Sequence, residues 1–134
     1  MRYLLDSHII IWALISDEKL PAEVYSLINN RKNEIYYSVA SVWEIEIKHR
    51  KQPEQMPISG EQLIQFCAQS SMISLPITNQ HVMMLKSLAR SENAPSHNDP
   101  FDRIIIAQAK TENLLLITHN SKFLHYQESF MLIV

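Results

Sequence analysis

The sequence predicts an α/β fold in three layers, α/β/α, with a central, mainly parallel sheet. Three observations carry this. Several strand candidates, above all residues 114–118 (LLLIT), are continuously apolar, as strands buried on both faces must be. Strand and helix patterns alternate along the whole chain, the signature of helices crossing over a parallel sheet. The 134 residues, 46 % hydrophobic and 19 % charged, suit one domain over residues 1–134, large enough to bury a core without disulfide or structural metal.

Each element has a local reason. Residues 2–5 are a short apolar strand ending at Asp6. A helix over 8–15 follows, with Ser7 placed to cap it. Residues 17–20 are a polar link. Pro21 suits a first helical turn, and 22–30 continues it with Val24, Leu27 and Ile28 on one face. Residues 34–38 (EIYYS) favour a strand. A helix over 41–51 sets Val42, Ile45 and His49 along one side. It gathers Lys48, His49, Arg50 and Lys51 in its last turn, where cations complement the macrodipole. Two prolines make 52–57 a loop. Ser59 caps a helix over 60–69, and 72–75 (MISL) is a third strand. Thr78 opens a helix through Leu88, with Val82, Met83 and Leu85 as core candidates. Residues 91–98 are a polar loop. Asp99-Pro100 joins an N-cap to a first-turn proline and opens a helix to Glu112. Residues 114–118 are a strand, 121–126 a single turn, and 130–134 the last strand. No repeat or low-complexity segment interrupts this order.

Composition narrows the function classes. The net charge of −2 offers polyanions no global attraction, so a nucleic acid would need a local basic patch or bound cations. Cys67 is the single cysteine, which excludes an internal disulfide and a Cys-rich zinc site and suits a reducing, cytoplasmic compartment. No apolar run approaches the length of a membrane span, so no membrane partner is expected. Asp6 and His8 break the apolar start, and no small-residue cleavage site follows it, which argues against a leader peptide.

In parallel sheets, ligands bind beyond the carboxyl ends of the strands. Asp6 directly follows the first strand. Glu44 lies in the helix after the second. Asp99 and Asp102 open the helix before LLLIT, and Asn120 stands two residues beyond it. Four carboxylates and an amide gathered at one sheet end call for a hard divalent cation such as Mg²⁺ or Mn²⁺, which prefers oxygen ligands and can activate water. Each residue also has a plainer role. Asp6 reads as a cap or turn residue, Glu44 as the i,i+4 partner of Lys48, Asp99 foremost as an N-cap, Asp102 as a first-turn acid and Asn120 as a turn residue. Their joint placement favours the site.

The segments LLDSHIIIWAL, SVASVWEIEIK and HNDPFDRIIIAQAKTENLLLITHN resemble the PIN-domain family, and within it the VapC-type toxins of prokaryotic toxin–antitoxin pairs. DPFDRIIIAQA is the most specific piece. The resemblance implies a Rossmann-like domain and a metal-dependent endoribonuclease acting on RNA, restrained by a cognate antitoxin and forming a homodimer. It implies metal and catalytic roles for Asp6, Glu44 and Asp102, with Asp99 as the additional acid of the toxin subgroup. The family's fourth acidic position falls on Asn120, which brings no charge and puts a second ion in doubt. Ser7 and Ser41 fall on hydroxyl positions that orient neighbouring carboxylates.

Two other readings compete. A degenerate PIN domain would bind RNA or protein without cutting, and Asn120 speaks for it. A phosphoaspartyl hydrolase would also end its first strand in Asp, but it needs a second Asp where His8 stands. His8 and His119 could border the site, although no metal-binding histidine spacing exists. Arg103 could balance the acids, bind phosphate or form a structural ion pair. Lys48–Lys51 could meet an RNA backbone. Trp12, Trp43 and Phe101 are expected in the core, and Cys67 as a buried thiol without a base.

Overall fold

The computed structural model describes residues 1–88, 90, 99–126 and 128–134. Strands β1 (Arg2–Leu5), β2 (Glu34–Ser38), β3 (Ile73–Leu75), β4 (Leu115–Thr118) and β5 (Met131–Ile133) form one sheet in the order β3-β2-β1-β4-β5. Every pairing between them is parallel, with Leu4 opposite both Tyr36 and Leu116. The helices among the described residues are α1 (Ser7–Ile15), α2 (Ala22–Ile28), α3 (Val39–Lys51), α4 (Gly60–Gln69), α5 (Asn79–Met84) and α6 (Pro100–Glu112).

The apolar strands are explained by two cores. Tyr3, Leu5, Ile35, Tyr37 and Ile117 pack on one face with Ile9, Ile10, Val24, Leu63 and Cys67 of α1, α2 and α4. Leu4 and Leu116 point the other way, onto Ile105, Ile106 and Ala109 of α6. Successive strand residues face opposite layers, so both faces demand apolar side chains. The Cys67 thiol is fully enclosed, and burial pushes its pKa up to about 12. It is the inert thiol expected. Among the described residues, no helix is long and apolar enough to cross a membrane.

Helix ends follow the sequence closely where side chains cap them. Ser59 and Gln62 close a reciprocal capping box at α4. Asp99 accepts from the N–H groups of Phe101 and Asp102, and Pro100 occupies the first position of α6. Asn113 ends α6 in a left-handed conformation (φ 58°), which Asn tolerates well.

Several expectations need correction. Asp6, not Ser7, caps α1, because its carboxylate accepts from the Ile9 N–H and Ser7 is already helical. Helix α3 starts at Val39 rather than Ser41, since Ser38 ends β2 and also caps the helix. Pro21 precedes α2 as its cap residue, and α2 stops at Ile28. Helix α5 is short and tightens into a 3-10 turn over Leu85–Ser87. Val82 and Met83 face solvent, and the buried residue of α5 is His81. Its Nδ1 accepts from the Thr78 N–H, so Nε2 carries the proton towards Glu112 at 2.8 Å. That polar anchor sets the rotation of the helix and turns its apolar side outward. Trp43 is exposed rather than in the core, whereas Trp12 and Phe101 are half-buried. The expected loop over 91–98 lies outside the described residues.

A buried polar latch fixes α6 against the sheet. Gln108 accepts from the Ser38 hydroxyl at 2.5 Å, and its amide N–H₂ donates to the carbonyls of Leu75 and Pro76 at 3.4 and 3.3 Å. It ties α6 to the carboxyl ends of β2 and β3 and so holds the acidic start of α6 in place. Gln108→Leu removes the acceptor of the Ser38 hydroxyl and the donor to both carbonyls. We expect a loss of about 2–3 kcal/mol in urea unfolding, well beyond an ordinary isosteric change in the core. A loss below ~0.5 kcal/mol would show that the latch contributes nothing.

Candidate functional site

The strand order reverses between β1 and β4, and this switch point is where an open parallel sheet leaves a crevice at its carboxyl end. Asp6 leaves β1 there, and Thr118 and Asn120 leave β4 there. The crevice opens into a cleft of about 630 Å³, lined among others by Glu44, Asp99, Asp102, Asn120, His8 and His119. Thus all five predicted site residues come to one end of the sheet. Asp6 is only 4 % exposed and lies behind the cleft lining rather than on it.

Protein donors hold each acid. One Asp6 oxygen accepts from the Ile9 N–H at 3.0 Å, and the other from the Thr118 hydroxyl. Burial raises the Asp6 pKa, while these two hydrogen bonds and the charge of His8 oppose the rise. Glu44, 8 % exposed, accepts from the Ser7 hydroxyl at 2.8 Å. A hydroxyl has one proton, so the 2.8 Å contact between the Ser7 and Ser41 hydroxyls uses the proton of Ser41. The relay Ser41–Ser7–Glu44 fixes one carboxylate oxygen, and the Lys48 ammonium meets the other at 3.1 Å. The orienting role expected of both serines is present in this geometry.

Asn120 shows a use the sequence did not reveal. Its Oδ1 accepts from the Lys122 N–H at 3.0 Å and starts the 3-10 turn Ser121–His125. That fixes the amide orientation, so Nδ2 faces the cleft and donates to Asp102 at 3.0 Å. Asn120 therefore steadies an acid and keeps its oxygen for the turn. Asp99 spends one oxygen on its two cap bonds. Thr118 was missed altogether. Its hydroxyl donates to Asp6 and accepts from the Asn120 N–H, joining the ends of β1 and β4. A hydroxyl closing an apolar strand was the available signal.

Of the basic candidates, Lys48 lines the cleft. Arg50 pairs with Glu46 at 2.7 Å, away from it. Arg103 is not a lining residue; its Nη2 reaches the Leu85 carbonyl, which favours the structural role. His119 meets Trp12 at a tilt of 58°, with ring centroids 4.7 Å apart.

The donor set is all oxygen, which fits a hard divalent ion. The spacing is open, and among the described residues no three His, Cys, Asp or Glu side chains converge into a ready cage. Such an arrangement leaves room for an ion that keeps several of its waters and takes only one or two protein carboxylates.

The buried Asp6 has a consequence for stability. A raised pKa means that the fold holds this proton more tightly than the unfolded chain does. Its contribution to stability is full below the ordinary carboxylate range and is lost as pH rises through the raised value. With chelator present, Asp6→Asn should melt about 2–5 °C above the wild type at pH 8, and the gap should close towards about pH 4. Equal melting temperatures across that range would mean that the donors from Ile9 and Thr118 fully offset burial.

The family model described as PIN domain matches residues 3–129. No curated protein matches the chain significantly. Among solved structures, the chain is similar to VapBC2 from Rickettsia felis bound to a promoter DNA fragment. The identity is 22 %, with 99 % of this chain and 98 % of that one covered, at a TM-score of 0.70. It is similar to DNA-bound VapBC from Salmonella typhimurium at 17 % identity, 99 % and 98 % coverage and a TM-score of 0.67. VapBC-1 of nontypeable Haemophilus influenzae aligns at 24 % identity, 91 % and 89 % coverage and a TM-score of 0.59. Identities this low establish a shared fold. With the family model spanning nearly its whole length, the chain belongs to the PIN domain family.

Proposed function

We propose that this protein is a VapC-type toxin, an endoribonuclease that uses Mg²⁺ or Mn²⁺ to hydrolyse RNA phosphodiester bonds and is restrained by a cognate antitoxin. The observation that carries the reading is the gathering of Asp6, Glu44, Asp99 and Asp102 at the switch point, with each acid held by a dedicated donor. Asp6 and Asp99 also cap helices, but packing four carboxylates into one neighbourhood adds mutual repulsion that capping does not require, and this supports a binding role for the group. The VapBC structures to which it is similar are toxin–antitoxin assemblies, which supports a protein partner for this chain as well. A homodimer and a cytoplasmic setting belong to the same proposal.

Glu44 and Asp102 would hold the ion from the cleft, Asp6 from behind it, and Asp99 would complete the acidic wall. Asn120 would act through Asp102 rather than as a ligand. When bound, the ion supplies an activated water and neutralises charge on the phosphate. The chain's own part is positional. The Ser41–Ser7 relay presents Glu44, Thr118 and the Ile9 N–H fix Asp6, and Lys48 balances Glu44 whenever no other cation does. Water adds to phosphorus, one phosphorus–oxygen ester bond breaks, and the departing oxygen takes up a proton.

A second reading has one specific observation behind it. The acids are already satisfied by Lys48, Asn120 and hydroxyls, as they would be in a degenerate PIN domain that binds RNA or protein without cutting. Two measurements separate the readings. Asp6→Asn and Asp102→Asn should each lower Mn²⁺-dependent RNA cleavage by at least about a hundredfold and relieve growth arrest on expression. Unchanged cleavage in both variants would overturn the acidic site as the catalytic centre, and no cleavage by the wild type at saturating Mn²⁺ would favour the degenerate domain.

Asn120→Asp sets a carboxylate against Asp102 where an amide donated at 3.0 Å. In chelator, this variant should melt a few degrees below the wild type. Mn²⁺ should raise its melting temperature more than it raises that of the wild type, and cleavage should half-saturate at lower Mn²⁺. Identical Mn²⁺ responses would show that position 120 does not limit ion binding.

A further inference from the structure

Helix α3 carries two i,i+4 acid–base pairs, and they stand in different surroundings. Arg50 and Glu46 meet at 2.7 Å, and neither lines the cleft. Lys48 and Glu44 meet at 3.1 Å, and both line it. The two members of this second pair are unlike. The Glu44 side chain is 10 % exposed and the Lys48 side chain 51 %. Glu44 is fixed, because the Ser7 hydroxyl holds Oε1 at 2.8 Å and Ser7 is held in turn by Ser41. That leaves Oε2 to meet a cation, and Oε2 is the oxygen to which the Lys48 ammonium donates.

We infer that Lys48 is a built-in competitor of the divalent cation, and that displacement of its ammonium from Glu44 sets how tightly this chain binds the ion. The inference rests on the metal-dependent reading and adds what opposes the ion at that site. A Mg²⁺ or Mn²⁺ ion on Oε2 would lie at most about 5 Å from the ammonium for as long as the 3.1 Å contact lasted. Two cations that close repel each other, most of all beside a buried carboxylate. The ammonium is the group that can leave. It ends a flexible four-carbon stem already half in water, so its charge is rehydrated as it goes. The carboxylate cannot move away instead, because burial and the Ser7 hydroxyl keep it in place. Binding is then an exchange of one cation for another, and apparent affinity falls with the fraction of molecules in which Glu44 is released. Lys122 also lines the cleft, so its charge serves to separate a general field from a direct exchange.

The test counts free Mn²⁺ by electron paramagnetic resonance as the protein is titrated, without RNA. Lys48→Met, which keeps most of the stem and removes the charge, should bind Mn²⁺ about tenfold more tightly than the wild type, and Lys48→Gln should do the same. Lys48→Arg should bind it no more tightly than the wild type. Lys122→Met should gain less than about threefold, because a charge that acts only through the field is screened by salt. In a Glu44→Gln background the contested carboxylate is gone, and the gain from Lys48→Met should shrink to that of Lys122→Met. Equal or weaker Mn²⁺ binding in Lys48→Met and Lys48→Gln overturns the competitor and spares the metal site. Equal gains from Lys48→Met and Lys122→Met overturn it in favour of a general field. A gain that persists undiminished with Glu44→Gln overturns Glu44 as the contested group. No Mn²⁺ binding by any of these proteins overturns the metal-dependent reading as well.

Discussion

Everything at the carboxyl end of this sheet depends on keeping acids close together inside a protein. A carboxylate resists burial because the interior solvates charge poorly, and it resists a second carboxylate for the same reason. Asp6 meets the first difficulty with a backbone N–H and the Thr118 hydroxyl, Glu44 with the Ser41–Ser7 relay and Lys48, and Asp102 with the Asn120 amide. Ile9, Ser41 and Thr118 are fully buried, so these donors work out of reach of water. All but Lys48 stand near the points where strands give way to helices, at the edge of a parallel sheet where backbone N–H groups and hydroxyls are unclaimed by the ladder. The fold thus offers donors where the proposed function needs acids.

The topology makes this economical. Parallel strands bring all their carboxyl ends to one side, and the order β3-β2-β1-β4-β5 reverses direction beside β1. Helices leave on both faces of the sheet from that point, and their first turns diverge. A cleft results without any chain being hollowed out. Asp99 and Asp6 illustrate the economy, since each caps a helix and contributes an acid to the same neighbourhood. The favourable field of a helix N-terminus lightens the load of holding negative charge there.

How much of this was legible follows from the range over which each interaction acts. Strand β2, helix α4 and helix α6 stood in the sequence with their observed bounds, because EIYYS, the Ser59 box and Asp99-Pro100 are local signals. The gathering of Asp6, Glu44, Asp99, Asp102 and Asn120 was legible from the parallel-sheet rule combined with the resemblance. What failed was long-range. Nothing near position 81 announces that a histidine will be buried through a partner thirty-one positions away, at Glu112, turning Val82 and Met83 outward. Gln108 looks like any polar helix residue until Ser38, Leu75 and Pro76 surround it. Trp43 was misplaced for a related reason: hydrophobicity argues for the core, but the ring stays exposed against Phe101, a partner fifty-eight positions away.

Asn120 brings both themes together. A carboxylate at this position would be the fourth negative side chain on the cleft wall, after Glu44, Asp99 and Asp102, with Lys48 already paired to Glu44. It could stand there only with a cation or a proton. The amide removes that requirement. Its oxygen is consumed by the Lys122 N–H, its N–H₂ is thereby aimed at Asp102, and a repulsive contact becomes an attractive one of the same length. The consequence is an acidic wall in which position 120 adds a donor rather than a charge. Under the proposed metal-dependent reading the same feature weakens the pull on a second ion, because affinity for a hard cation grows with the number of charged ligands. Holding the carboxylates side by side and binding a cation strongly are opposed at this one position, and an amide in place of an acid favours the former.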